Sequence, residues 1–181
     1  VFDAPSGYLG IEDAAPRFFL ASDYEVHADK DAMFAALGDT SIDLRETVLL
    51  ESAPVVEPAE DGADGELRGV EITIVEQSTD HVVIEADIPR ASLLVMTDAY
   101  SPNWRATALE GSVQDAYEVM PAYWALRCVP VEAGRHRIRF EYAPKAYRIG
   151  FWISCVSALF FVGMVGIAIV RRRRGLGLDE G

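Results

Sequence analysis

From Ile149 to Val170 the chain runs without one charged residue, and Arg171 to Arg174 follow at once. At about 1.5 Å of rise per residue, a helix of that length covers about 33 Å, enough to cross the roughly 30 Å hydrocarbon core of a bilayer. A helix buried in a globular core has no need of so long an uncharged run closed by consecutive arginines. The stretch predicts one transmembrane helix at 149–170 and a basic tail at 171–181. Phe151 and Trp152, with Lys145, Tyr147 and Arg148 just before them, have the composition of an interfacial belt of rings and snorkelling cations. Basic residues flank both ends, including Arg135, Arg137 and Arg139 on the N-terminal side. The contiguous arginines favour a cytoplasmic tail, which leaves residues 1–148 extracytoplasmic. Gly175 to Gly181 is too short to fold and is expected to be disordered.

Charge divides unevenly about this anchor. Residues 1–148 hold 12 Lys/Arg against 27 Asp/Glu, whereas the remainder holds four Arg against two acids. An acidic domain of that balance repels phosphate backbones, so nucleic acid is excluded as a partner. Its length suits one domain with its own core, expected as an N-terminal piece at 1–46 packed on a β-domain at 47–148. The two cysteines, Cys128 in a predicted strand and Cys155 in the predicted span, are not placed to pair, and no zinc-type spacing is present. The chain begins at Val1 with no signal sequence, so an exported domain is expected to be the C-terminal end of a longer protein whose earlier helices direct it.

Pattern along the chain points to β structure. After an irregular start punctuated by Pro5, Gly7 and Gly10, Arg17 to Val26 predicts a strand. Asp29 to Leu37 predicts a short helix capped by Asp29 or Asp31, with Met33, Phe34 and Leu37 as its apolar face and Gly38 as its end. Thr47 to Leu50 reads as a strand, and the prolines, glycines and acids of 54–66 as a solvated loop. Val70, Ile72 and Ile74, then Val82, Ile84, Ala86 and Ile88, alternate as strands with one buried face. Leu93 to Met96 is continuously apolar, as in a central strand covered on both faces. Trp104 to Leu109 and Val113 to Tyr117 bracket a turn at Glu110-Gly111-Ser112, Tyr123 to Val129 reads as one strand, and His136, Ile138, Phe140 and Tyr142 share a face of the last. The expected fold is mainly β: an antiparallel β-sandwich or jelly-roll with one short helix, followed by one transmembrane α-helix.

No self-contained active site is legible. His27, His81 and His136 are too far apart for ligand spacing, and His136 belongs to an apolar strand face. Asp29 and Asp31 match the Asp-x-Asp form of metal and nucleotide-sugar sites, but their place at a helix start is explained by capping. No glycines surround a serine as in a nucleophile elbow, and no phosphate-cradling loop occurs. The expectation is neither metal nor cofactor. Asp98, Tyr100, Trp104, Tyr117, Tyr123 and Trp124 fall close together in sequence. Aromatic platforms stack on sugars, which makes Tyr100, Trp104, Tyr123 and Trp124 candidate carbohydrate contacts; aromatics also fill sandwich cores, and for Trp104 burial is expected.

Thr97-Asp98-Ala99-Tyr100-Ser101-Pro102-Asn103-Trp104-Arg105-Ala106, then 123–131, Ala133-Gly134-Arg135-His136 and Phe140-Glu141-Tyr142-Ala143-Pro144 leading into the final helix, resemble the C-terminus of the YfhO family of bacterial multi-pass membrane proteins. The resemblance runs from about Ala15 to the end of the anchor, with Asn103 where the family usually has glycine. It implies an accessory β-domain and last transmembrane helix of a membrane-embedded, polyprenyl-phosphate-sugar-dependent glycosyltransferase-like protein of cell-envelope glycan assembly. On that reading the catalytic residues lie upstream, the chain is not catalytic by itself, and its partners are the lipid bilayer, the upstream membrane part and a glycan or lipid-linked sugar. The alternative is a single-pass surface protein whose sandwich binds carbohydrate or a protein.

Overall fold

A computed structural model of the chain describes residues 15–59 and 65–176. The irregular start at Pro5, Gly7 and Gly10, the middle of the acidic loop at 60–64 and the tail beyond Leu176 lie outside them. Two compact units divide between Ala143 and Pro144.

The first unit is mainly β. Its strands are β1 (Phe18–Ala21), β2 (Asp23–Val26), β3 (Thr47–Leu50), β4 (Thr73–Gln77), β5 (His81–Ile88), β6 (Ser92–Ala99), β7 (Trp104–Ala108), β8 (Ala116–Tyr117), β9 (Met120–Ala122), β10 (Leu126–Val131) and β11 (Gly134–Tyr142). They form one sheet in the order β1-β6-β10-β9-β3-β2 and a second in the order β4-β5-β11-β7-β8. Apart from the parallel β2–β3 pair, the ladders are antiparallel.

β6 explains why there are two cores. Its side chains alternate between faces, and its run is apolar on both. Leu94 and Met96 join Phe18, Val129, Ile84, Ile138 and Phe140 in the layer between the sheets. Leu93 and Val95 face the other way, toward Val48, Leu50, Met120, Cys128 and helix α1 (Lys30–Leu37). The first sheet is also strongly curled. Six strands laid flat would put the outer two about 24 Å apart, yet only Ser22 separates β1 from β2, a span of roughly 7 Å. The sheet therefore wraps until its edges meet, around the second core. The single strand expected over Arg17 to Val26 is thus two, broken at the corner.

Asp29 caps α1, its carboxylate accepting from the amides of Asp31 and Ala32. The helix buries Met33 and Ala36, while Phe34, expected on the apolar face, is 51% exposed. The loop after β3 is less solvated than its composition suggests. Pro54 and Pro58 are buried, and a second short helix, α2 (Gly65–Arg68), buries Leu67. Val70 and Ile72 do pack on the inter-sheet core, but ahead of β4, whose own residues, Ile74 included, are exposed. The turn between β7 and β8 places Gly111 at φ +94°, a conformation that glycine adopts without strain.

The second unit is the helix α3 (Lys145–Leu176), which starts ahead of the uncharged run. Its segment Lys145–Ile169 contains an 18-residue window of mean hydropathy 2.2 and is long and apolar enough to cross a membrane. The large apolar side chains along it, Phe151, Leu159, Phe160 and Ile167 among them, are exposed.

Candidate functional site

Three strands bring opposite charges together at one end of the inter-sheet layer. Asp98 lies near the end of β6 on the side of Leu94 and Met96. β6 is flanked by β1 and β10, and each neighbour brings an arginine. Arg17 precedes β1 and donates from Nε (3.2 Å) and Nη2 (3.0 Å) to Asp98 Oδ2. Arg127 of β10 approaches the same oxygen with Nη2 at 3.0 Å. The β6–β10 register slips between Leu126 and Arg127, an irregularity of the kind that re-aims a side chain within a ladder.

Trp104, the first residue of β7, comes from the facing sheet. The Arg127 guanidinium lies 3.6 Å from its ring centroid, and the Tyr142 ring lies 5.4 Å away on a tilt. The indole is half-buried, so Trp104 is neither sealed in the core, as expected, nor an open platform, and the guanidinium already occupies part of its surface. Arg17, Asp98, Arg127 and Trp104 line a cavity of about 330 Å³ together with Thr79 and His81. His81 is held between two carboxylates, Nε2 to Glu76 at 2.8 Å and Nδ1 to Asp80 at 3.0 Å. With an acceptor at each ring nitrogen the imidazolium is favoured, so Glu76 first and then Asp80 hold its pKa above the ordinary 6.5.

Arg127 is the unusual member. It is 2% exposed, and burial pulls its pKa down against the supporting charge of Asp98. Nε and Nη1 are buried with no hydrogen-bond partner among the described residues. Arginine keeps its proton in proteins, so this remains a buried cation with unused donors.

Tyr123 and Trp124 lie elsewhere. The strand expected over Tyr123 to Val129 is instead a turn at 123–125, which follows β9, and the start of β10 at Leu126. Both aromatics are left-handed, at φ 50° and 67°. Such angles cost a non-glycine residue about 1–2 kcal/mol, and three hydrogen bonds hold them. The Tyr123 amide donates to Leu49 O at 2.8 Å, the Ala125 amide to Tyr123 O at 2.8 Å, and the Tyr123 hydroxyl to Leu44 O at 2.6 Å. Tyr123 is buried and its hydroxyl is committed, with burial raising its pKa. Trp124 is turned outward, 38% exposed, with its ring 6.1 Å from that of Phe34. Tyr100 is half-buried and tied by its amide to Ala125 O at 2.8 Å. The four candidate aromatics therefore do not form one platform.

The remaining polar core group is His136. It is buried, its Nε2 donates to Glu132 O at 2.9 Å, and its Nδ1 thereby accepts from the Tyr117 hydroxyl at 2.5 Å. Burial lowers its pKa and keeps it neutral. Cys128 and Cys155 are both free thiols, and burial pushes Cys128 up to about 12.

Arg17 and Arg127 are the site residues that sequence reasoning passed over. The available signal was an arginine inside the otherwise apolar strand Leu-Arg-Cys-Val-Pro-Val, where a charge must find a partner. Comparison with known protein families, curated proteins and solved structures finds no match to this chain.

Proposed function

We propose that this chain is a membrane-anchored extracytoplasmic domain, the accessory C-terminal part of a glycosyltransferase-like membrane protein of the YfhO type. The carrying observation is α3, whose apolar side chains are uncovered by any described residue along Lys145–Ile169. Lipid is the surrounding that buries such a surface while the helix satisfies its own backbone groups. The resemblance supports the rest of the reading. The segments that carry it, 97–106, 123–131 and 140–144, are separated in sequence but meet through Asp98, Arg127, Trp104 and Tyr142. In this reading the upstream membrane part performs the transfer from a polyprenyl-phosphate-sugar, and the β unit shapes its acceptor side at the bacterial cell membrane.

Topology and activity test it together. In a background with Cys128→Ala and Cys155→Ala, a cysteine replacing the exposed Val55 should react with a membrane-impermeant maleimide in intact bacteria, and one replacing Gly177 should not. The reverse pattern overturns the orientation. The purified chain should transfer no sugar from a polyprenyl-phosphate-sugar; turnover that disappears when one of its own carboxylates is removed sinks the accessory role.

The outward Trp124 beside Phe34 favours a second reading, a single-pass surface protein that binds carbohydrate through this pair. Under that reading Trp124→Gly abolishes glycan binding without lowering the melting temperature.

A further inference from the structure

We propose that the end of the β unit from which the chain leaves for α3 is itself a membrane contact, a rim of Phe34, Trp124 and Tyr142 that seats in the lipid headgroup layer. This contact presupposes the membrane reading of α3 and is made by the β unit in addition to the anchor.

Hydrogen bonds gather these residues at one end. β6 ends at Ala99 opposite Leu126, and the loop 100–103 carries the chain on to β7. On one side of that loop the Tyr100 amide donates to Ala125 O at 2.8 Å, next to Trp124. On the other side the Asn103 carbonyl accepts from the amide of Ala143 at 2.9 Å, where the β unit ends. Tyr142 lies opposite Trp104 at the same end, and the Phe34 ring lies 6.1 Å from that of Trp124. Among the described residues of the β unit, these three are the exposed Phe, Tyr and Trp side chains.

Chain length keeps this end near the bilayer. From Ala143 to Lys145 the chain spans at most about 7 Å, and from Lys145 the helix rises about 6 Å to Ile149, the first residue of the uncharged run. Ala143 thus stays within about 13 Å of the hydrocarbon edge at any angle between the two units, and the headgroup layer alone fills about 5–8 Å of that distance. Aromatic rings, Trp and Tyr above all, settle in this layer. The left-handed backbone at Trp124 then acquires a reason. It costs about 1–2 kcal/mol and turns a large ring outward, which gains nothing in water; strain of this kind collects at functional contacts. Charge does not oppose the seat. Arg17 and Arg127 on Asp98, His81 between Glu76 and Asp80, and Arg139 with Glu141 sum to zero, so zwitterionic headgroups suit this end. Trp124 on this account meets lipid rather than sugar.

The test uses the full chain with Cys128→Ala and Cys155→Ala, single introduced cysteines carrying an environment-sensitive fluorophore, and phosphatidylcholine nanodiscs with or without a nitroxide on the headgroup. Labels replace Leu159 in α3, the exposed Pro102 of the loop, Lys30, whose ammonium lies 5.7 Å from the Phe34 ring, and the exposed Ala133 at the opposite end of β11. The Leu159 label should emit as in hydrocarbon; emission as in water overturns the membrane reading and this contact with it. The nitroxide should quench Pro102 and Lys30 and spare Ala133. A merely tethered β unit quenches Pro102 in any pose, so Lys30 decides between tether and seat. Trp124→Gly and, separately, Phe34→Gln should each lose the Lys30 quenching and keep that at Pro102, in chains that thermal melting shows folded. Salt at about 1 M should leave the Lys30 signal in place, because rings rather than charges make the contact. A Lys30 label quenched no more than Ala133 overturns the contact while leaving the anchor intact. Lys30 quenching that survives both substitutions, or that salt abolishes, does the same.

Discussion

At the scale of single residues, Trp104 and Trp124 divide the roles that their shared aromatic character blurs. Trp104 covers a buried cation. Its truncation removes apolar burial and also the ring over Arg127, an interaction worth about 2 kcal/mol when desolvated. Trp104→Ala should therefore destabilise the β unit by about 2–4 kcal/mol, with Trp104→Phe intermediate, measured as thermal melting of the full chain in nanodiscs. Trp124 gives the opposite expectation. Its left-handed backbone is unfavourable to any side chain, and its ring is partly in solvent. Trp124→Gly relieves about 1–2 kcal/mol of backbone cost and gives up an aromatic contact with Phe34 worth about 0.5–1.5 kcal/mol. The variant should melt at or slightly above the parent temperature. Tyr123→Phe, which keeps the backbone strain but loses the bond to Leu44 O, should instead lose about 1 kcal/mol.

At the scale of elements, legibility follows how directly a pattern maps onto hydrogen bonding. β5, β6 and β11 were readable because alternation or a continuous apolar run leaves one way to bury them, and their register pairs Ile138 with Ile84 and Cys128 with Val95. Val70 and Ile72 alternate as a strand does, yet they reach the core from outside the ladder, and the strand begins only at Thr73, from exposed residues. Apolar period alone records which side chains are buried, not which amides pair. The Tyr123–Trp124 turn left no mark, because neither glycine nor asparagine announces its left-handed angles; tertiary hydrogen bonds impose them. The candidate site was half legible for a related reason. Asp98 and Trp104 are near neighbours, but Arg17 is 81 residues from Asp98 and meets it only because β1 and β6 pair. Gly134, at the start of β11, sits in a strict geometry. At φ +124°, with Val113 Cγ1 only 3.2 Å from where a Cβ would stand, Gly134→Ala is opposed by both backbone and packing. It should cost more than about 1 kcal/mol in thermal melting, while alanine at Gly38, which has helical backbone angles and ordinary contacts, should cost little.

At the scale of the whole molecule, the two histidines with displaced pKa values set opposite limits on stability with pH. His81 has its folded pKa raised by Glu76 and Asp80 above the ordinary 6.5. Its contribution is fully present below that value and is lost as pH rises through the folded pKa. His136 is buried, neutral and depressed, so its contribution is present above 6.5 and is lost as pH falls through the ordinary range. Glu76, Asp80 and Asp39 act in the same direction as His136 but further into acid: hydrogen bonds from His81 and Ser41 lower their pKa values, and their contributions fade as pH falls below the usual carboxylate range. The β unit should thus be most stable near neutrality and fall on both sides for different reasons. A scan of melting temperature from about pH 4 to pH 9 on the full chain checks this. Replacing His81 with Gln should flatten the loss on the alkaline side and leave the acid limb in place. A wild-type curve that keeps rising through the alkaline range, or a His81→Gln curve with the same alkaline fall, would show that the Glu76–His81–Asp80 bridge is not formed in solution.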